Sequence, residues 1–157
     1  MKGMNTRMLT RAAAIAALYA AITLALAPIS YGPVQFRASE ALTLLPVFWP
    51  EAGAGLFAGC FFANLAGGYG IADAAVGGLA TLLAAFCTRR LRANRWLAAL
   101  PPVLVNAVAI GVMLHFADGA PLFATMLYIA AGQAAACYAL GLAMLAGLEK
   151  TGLARKL

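Results

Sequence analysis

The most informative stretch of this sequence is WLAALPPVLVNAVAIGVMLHF, from Trp96 to Phe116, which contains no Asp, Glu, Lys or Arg. An α-helix rises about 1.5 Å per residue, and about 20 apolar residues are needed to cross the hydrocarbon core of a bilayer. The stretch therefore predicts a transmembrane helix. Pro101 and Pro102 fall near its start, where a missing N–H is tolerated.

Similar apolar segments lie on both sides of this helix. Hydrophobic residues make up 64% of the 157 residues and charged residues 10%, whereas soluble domains contain about 25% charged residues. This composition excludes a soluble domain and a disordered chain, and the continuous apolar runs exclude a transmembrane β-barrel. We predict an all-α integral membrane protein of the cell membrane, one domain (1–157) with six transmembrane helices in a compact bundle, at approximately 8–27, 38–49, 53–67, 71–89, 96–116 and 121–149.

Two of these segments differ from ordinary transmembrane helices. The second, Ala38 to Trp49, would be only about 18 Å long as an α-helix and is too short to cross alone. The first follows basic residues and ends in Ala25-Leu26-Ala27, as secretory signals do. Its length and the proline at position 28 lead us to expect a retained helix.

Basic residues mark the ends of the predicted helices, and short cytoplasmic loops hold an excess of Lys and Arg. If all six segments cross, Arg37 alone lies on one side of the membrane. The other ten of the eleven basic residues lie on the opposite side: Lys2, Arg7, Arg11, Arg89, Arg90, Arg92, Arg95, Lys150, Arg155 and Lys156. The charges therefore predict cytoplasmic termini. Because the basic residues are not gathered on one face, we expect no nucleic-acid partner.

Strongly polar side chains inside the apolar segments are candidates for ligand binding, because they are costly to place in a membrane. In the six-helix topology Glu40, Asn64 and Asp73 lie at the outer ends of their segments. Asn106 and Gln133 lie about 15–17 Å deep, where they could form the floor of a cavity. Candidates in or beside the outer loops are Arg37, Tyr31 and Tyr69, and the two tyrosines could stack on a flat ligand.

Structural explanations compete with ligand binding at each of these positions. Arg37 and Glu40 are three residues apart and could simply pair with each other. Asn64 could end a helix, and Asp73 could complement the dipole at a helix start. Asn106 and Gln133 could form hydrogen bonds between helices. The sequence alone leaves these alternatives open.

Small residues recur every fourth position in the first segment and predict a surface on which another helix can lie closely. Two parallel sets exist, and the sequence leaves open whether this surface contacts a partner protein or packs within the bundle. The sets are Ala12, Ala16 and Ala20, and Ala13, Ala17 and Ala21.

No catalytic motif is found. Lys150-Thr151 follows Glu149 instead of the glycine of a phosphate-binding loop, so we expect no ATP hydrolysis by this chain. The single histidine and the scattered cysteines predict no metal site, no cofactor and no disulfide. The functions left open are a transport subunit, a ligand-free structural or assembly protein, and a small self-contained transporter or channel.

Several motifs resemble the QueT family, membrane-embedded substrate-binding (S) subunits of energy-coupling factor (ECF) transporters. The resemblance covers nearly the whole chain. It is carried by API-S-YGPVQ (27–35), FRASEALTLLP (36–46), GGLATLLAAF (77–86), LPPVLVNA (100–107) and the region 132–141. One departure concerns Gln133, because members of the family often have a glutamate after the preceding glycine.

The resemblance implies six helices with both termini inside and a queuosine precursor, a 7-deazaguanine or related nucleobase, as the ligand. It also implies that the energy comes from partner proteins, one membrane scaffold and two ATPases, and that the alanine stripe of the first helix contacts the scaffold. For such a ligand Glu40 is our first choice to accept the N–H groups of the pyrimidine edge. Asp73 could meet an aminomethyl cation if the precursor carries one.

Overall fold

The structure, a computed structural model, describes residues 5–31, 35–67 and 70–152. In these residues the secondary structure is helical throughout, without strands. The elements in chain order are α1 (Thr6–Ala25), α2 (Ala27–Ser30), a 3₁₀ helix (Ala38–Val47), α3 (Ala52–Ala66), α4 (Gly70–Arg90), α5 (Arg95–Ala98), α6 (Leu100–Asp118), α7 (Leu122–Ala134), a π-helical segment (Ala135–Gly141) and α8 (Leu142–Lys150).

Local sequence accounts for several helix boundaries. The Asn5 side chain accepts a hydrogen bond of 2.9 Å from the Met8 amide and so caps the start of α1. Asn94 caps α5 in the same way by accepting from the amides of Trp96 and Leu97. Helix α6 ends at Gly119, whose φ of 69° is a left-handed conformation that glycine adopts without strain.

Four helical stretches in the described residues are long and apolar enough to cross a membrane: Thr6–Ala25, Gly70–Arg90, Arg95–Asp118 and Leu122–Lys150. They correspond to four of the six predicted segments. The other two, Ala38–Val47 and Ala52–Ala66, are shorter apolar helices. The second segment is a 3₁₀ helix of ten residues instead of an α-helix. At a rise of about 2.0 Å per residue it extends about 20 Å, further than ten α-helical residues would.

Contacts between helices give the direction of each element. Gly55 lies against Ala12 and Gly59 against Ala16, so α1 and α3 run parallel. The 3₁₀ helix runs antiparallel to α1, because Glu40 near its start contacts Tyr19. Just beyond its end, Trp49 lies under the Arg11 guanidinium, 5.0 Å from the ring centroid.

The remaining helices continue this alternation. Helix α4 returns antiparallel to α3, since Gly53 approaches Ala85 while the Asn64 side chain bonds the Asp73 carbonyl. Helix α6 runs from the end that contains Arg95 toward the end that contains Asp73, and its Asn106 lies beside Glu40. The stretch from α7 to α8 returns once more and ends where Glu149 pairs with Arg95.

The alternation separates the charges of the bundle. One end, which we call the basic end, contains every basic residue of the described ranges except Arg37: Arg7, Arg11, Arg89, Arg90, Arg92, Arg95 and Lys150. Arg37 lies at the other end, which we call the cleft end, together with Asn64 and Asp73. The bundle core between the two ends includes Tyr19, Leu56, Cys60 and Ala63.

Candidate functional site

The interior of the bundle contains several polar side chains of the kinds that apolar surroundings tolerate poorly. Among the almost fully buried ones are three that come from different elements: Glu40 is 1% exposed, Asn106 3% and Gln133 4%. The 3₁₀ helix supplies the glutamate, α6 the asparagine and α7 the glutamine. Such a group is stable only if most of its hydrogen-bonding atoms find partners.

The Glu40 carboxylate is the centre of this cluster. Tyr19 donates its hydroxyl to Oε1 at 2.5 Å, and Asn106 donates Nδ2 to Oε2 at 3.3 Å. The Gln133 side chain also lies close enough to interact with the carboxylate. We call Tyr19, Glu40, Asn106 and Gln133 the polar floor.

Within the described part of the chain, two side-chain oxygens of the polar floor have no hydrogen-bond donor. They are Oδ1 of Asn106 and Oε1 of Gln133, both inaccessible to solvent. A buried acceptor without a donor costs about 1–3 kcal/mol. The polar floor therefore has unused acceptor capacity, which a ligand carrying N–H groups could satisfy.

A second layer of polar side chains lies next to the polar floor, on the side of the cleft end. Arg37, 4% exposed, donates Nη1 to Asn64 Oδ1 at 3.1 Å and Nε to the Ser30 carbonyl at 3.3 Å. Its guanidinium also lies over the Tyr31 ring, 5.0 Å from the centroid. Asn64 donates Nδ2 to the Asp73 carbonyl at 3.3 Å. We call Tyr31, Arg37, Asn64 and Asp73 the upper layer.

The upper layer opens to a cavity of about 470 Å³ at the cleft end. Its lining includes Tyr31, Arg37 and Asp73 from the upper layer, and Asp118 and Tyr128 from the opposite wall. The Oδ2 atom of Asp73 is buried and has no hydrogen-bond partner among the residues that the structure describes. No residue of the polar floor lines this cavity, so Arg37 and its bonds stand between the open space and Glu40.

The structure brings most of the sequence-predicted site residues together. They form two neighbouring clusters: Glu40, Asn106 and Gln133 in the polar floor, and Arg37, Asn64, Asp73 and Tyr31 in the upper layer. Tyr69 lies outside the described residues. Glu40 was placed at the mouth of the site from the sequence, whereas the structure places it deeper, beside Asn106 and Gln133.

The structure agrees with some of the structural explanations that compete with ligand binding and disagrees with others. Arg37 and Glu40 form no salt bridge; within the described ranges the ion pairs join Arg11 to Glu51 and Arg95 to Glu149. Asn64 lies near the end of α3, but its side chain links Arg37 to the backbone of Asp73. Asp73 does occupy the first turn of α4, where it complements the helix dipole.

Sequence reasoning did not single out two tyrosines that the structure places beside the candidate site. Tyr19 is fully buried and bonded to Glu40, and Tyr128 lines the cavity. The residue spacing in α1 could have indicated that Tyr19 is buried, because Tyr19 lies on the same helix face as Ala12, Ile15 and Thr23. An aromatic hydroxyl on a buried helix face needs a polar partner, and this requirement would have pointed to Glu40.

The two alanine sets of α1 have different surroundings. Ala12 is buried, and Ala16 and Ala20 are partly buried; the backbone of this set touches Gly55 and Gly59 of α3. The parallel set, Ala13, Ala17 and Ala21, is exposed. The first set therefore packs within this chain, and the second lies on the exposed side of α1.

Comparison with known proteins gives the family. The profile described as QueT transporter matches residues 9–150. The "Queuosine precursor transporter QueT" of Lactococcus lactis subsp. cremoris (strain MG1363) is 38% identical over 85 residues. That match covers 53% of this chain and 50% of the relative, so the aligned part spans about half the length of the curated protein. No solved structure matches the chain.

The family profile covers nearly all of the described helices, including every described residue of the polar floor and the upper layer. The apolar helices long enough to cross a bilayer are those of a multi-pass membrane protein. The chain belongs to the QueT transporter family.

Proposed function

We propose that this chain is the membrane-embedded substrate-binding subunit of an ECF-type importer and binds a queuosine precursor, a 7-deazaguanine or related nucleobase. The observation that carries the proposal is the unused acceptor capacity of the polar floor: Oδ1 of Asn106 and Oε1 of Gln133 beside the Glu40 carboxylate. The relative's name, which specifies a queuosine precursor, adds to it.

The chemistry of a 7-deazaguanine complements these groups. Its pyrimidine edge carries a ring N–H and an exocyclic amine, both donors, and a carboxylate or amide oxygen accepts from them. Its carbonyl oxygen can accept from the Arg37 guanidinium or from an amide. Its flat face can stack on Tyr31 or Tyr128 in the cavity wall.

Binding would require a rearrangement of the upper layer. Arg37 separates the cavity from Glu40, and the bonds that hold it go to Asn64 and to the Ser30 carbonyl. When a ligand enters, Arg37 would exchange one of these bonds for the ligand carbonyl. The ligand N–H groups would then reach the polar floor.

The topology is part of the same proposal: one domain over residues 1–157, with six crossings and both termini in the cytoplasm. The segregation of basic residues supports it, because cytoplasmic ends collect Lys and Arg. In intact cells, a membrane-impermeant thiol reagent should label Ala117→Cys, near the cleft end, and should not label Ala93→Cys, at the basic end. The wild-type protein measures the background from its own cysteines, and labelling at position 93 would contradict the orientation.

The partners of this proposal are a membrane scaffold protein and two ATPases, which would supply the energy. The exposed set Ala13, Ala17 and Ala21 supports a scaffold contact, since small side chains let a second helix approach closely. ATP-driven uptake should then disappear without the ATPases, while ligand binding persists. Hydrolysis of ATP by this chain alone would contradict the division of labour.

A ligand-free structural role is the second candidate, and one observation favours it. The bonds from Tyr19 and Asn106 to Glu40 connect α1, the 3₁₀ helix and α6, as interhelical hydrogen bonds in membrane bundles do. Under this alternative no nucleobase would stabilise the protein.

Thermal unfolding of the purified protein separates the two candidates. A ligand at 100 times its Kd stabilises the folded state by about 2.7 kcal/mol. We expect 7-deazaguanines to raise the unfolding temperature and adenine, at the same concentration, to leave it unchanged. Equal curves with and without every 7-deazapurine would support the structural role.

A further inference from the structure

The basic end of the bundle contains an open cavity of about 660 Å³, far from the nucleobase site. Its charged lining residues are Arg89, Arg92, Arg95 and Glu149, and Phe48 adds an aromatic ring. They come from the end of α4, the connection between α4 and α5, the start of α5, the end of α8 and the connection after the 3₁₀ helix. The volume falls within the range of ligand pockets, about 300–1,000 Å³.

Positive charge exceeds negative charge around this cavity. Arg95 is neutralised by a salt bridge to Glu149. Glu51 is close enough to attract Arg89, but its salt bridge is to Arg11. Arg89 and Arg92 lie close enough to repel each other, and in the described ranges Arg92 has no acidic partner. An anion in the cavity would remove this repulsion.

Arg89 is held in position by the protein but keeps free donors. Its Nη1 atom donates to the backbone carbonyls of Pro46, Val47 and Phe48 at 3.1, 3.0 and 3.5 Å. A guanidinium has five N–H donors, and no bond from Nε or Nη2 of Arg89 is found to any residue that the structure describes. Fixed guanidinium groups bind phosphate oxygens with charge-assisted, often paired, hydrogen bonds.

An aromatic pair indicates the depth of the cavity in the membrane. Trp96 directly follows Arg95 and is 66% exposed, and its ring centroid lies 5.8 Å from that of Tyr138. Trp and Tyr concentrate at the level of the lipid headgroups. Leu97 and Leu100, both exposed, follow within the next turn. The cavity therefore lies at headgroup depth, beside apolar surface that acyl chains can cover.

We propose that this cavity binds the headgroup phosphate of an anionic phospholipid, with Arg89 and Arg92 contacting the phosphate. Basic pockets at the cytoplasmic ends of transmembrane helices bind such headgroups. The site is independent of the nucleobase site, because the two lie at opposite ends of the bundle.

The test compares two arginine substitutions that change charge equally. Arg92→Gln removes an exposed cavity arginine, whereas Arg90→Gln removes the neighbouring arginine that lies over the Phe86 ring, 4.9 Å from its centroid, and does not line the cavity. Native mass spectrometry of both variants and the wild type, titrated with phosphatidylglycerol, measures bound lipid directly. We expect about 5-fold weaker binding in Arg92→Gln, equivalent to about 1 kcal/mol, and wild-type binding in Arg90→Gln.

Two further titrations identify the source of the phosphate. Phosphatidylcholine, whose headgroup carries no net charge, should bind much more weakly than phosphatidylglycerol. Free glycerol 3-phosphate at the same concentration should not displace the lipid. Equal weakening in both variants, equal binding of the two lipids, or displacement by free glycerol 3-phosphate would each overturn the proposal.

Discussion

Charged residues toward the two ends of the bundle differ in their exposure and in whether they pair with an opposite charge. At the basic end Arg95 and Glu149 form a salt bridge with 46% and 34% of their side chains exposed. Toward the cleft end, Arg37 of the upper layer and Glu40 of the polar floor are buried, do not pair with each other, and bond to neutral groups instead. Exposed pairs contribute little to stability, whereas a buried, incompletely bonded network is costly. This incompletely bonded network is the basis for the ligand site that we propose.

The largest effect is expected where α1 packs closely against α3. A Cβ atom at Gly55 would lie 2.3 Å from the backbone oxygen of Ala12, and backbone cannot move aside as a flexible side chain can. Gly55→Ala should lower the free energy of unfolding by about 3 kcal/mol, the upper part of the usual range for overpacking. Thermal unfolding in detergent measures it.

Gly147→Ala is the matched control, because nothing lies within 4 Å of a Cβ at that position. In the interior of α8, alanine should stabilise the protein by about 0.5–1 kcal/mol. Similar unfolding temperatures for the two variants would show that α1 and α3 are not in close contact.

The next largest effect is expected on ligand affinity, in a comparison of Glu40→Gln with Glu149→Gln. At position 40 the substitution keeps the shape and the acceptor for Tyr19, but it replaces one acceptor of the ligand by an NH₂ group. Hydrogen bonds to charged groups contribute about 1.5–3 kcal/mol, so affinity for a 7-deazaguanine should fall roughly 10- to 150-fold. At position 149 affinity should not change. Calorimetric titration measures both.

The fold should tolerate Glu40→Gln. Asn106 can turn its amide, so that its unpartnered Oδ1 accepts from the new NH₂ group. Unchanged affinity with reduced stability in Glu40→Gln would remove Glu40 from the binding site and favour the structural role.

The alanine sets of α1 provide a third comparison. Ala16 touches Gly59 of α3, so Ala16→Leu should destabilise the fold by about 1–3 kcal/mol. Ala17 is exposed, so Ala17→Leu should leave stability and ligand affinity unchanged but weaken assembly with a scaffold protein. Co-purification measures assembly, and thermal unfolding measures stability. Wild-type assembly by Ala17→Leu would show that the exposed set is not the docking surface.

The smallest effect is expected at the exposed salt bridge of the basic end. Glu149→Gln should change the free energy of unfolding by less than about 1 kcal/mol. Glu51→Gln should cost more, because the Glu51 side chain is only 2% exposed where it pairs with Arg11 and the substitution removes one charge of a buried ion pair. Equal unfolding temperatures of the two variants would show that burial does not distinguish these pairs.

Sequence reasoning identified the apolar helices and the polar residues of the site because both depend on residue type. It could not give the 3₁₀ form of Ala38–Val47, which depends on contacts with other helices, and so it placed Glu40 too near the surface. It also could not choose between the alanine sets. Both sets have the same residue type and spacing, and only the glycines of α3 determine that Ala12 and Ala16 face inward.

The central claim is that the polar floor accepts hydrogen bonds from a nucleobase. It is tested most directly by calorimetric titration of the wild-type protein with 7-deazaguanine and with 7-deazahypoxanthine, which lacks the exocyclic amine. Losing one donor to a charged acceptor should weaken binding roughly 10- to 150-fold. Equal affinity for the two compounds, or no heat of binding for either with a protein that still unfolds cooperatively, would contradict the claim.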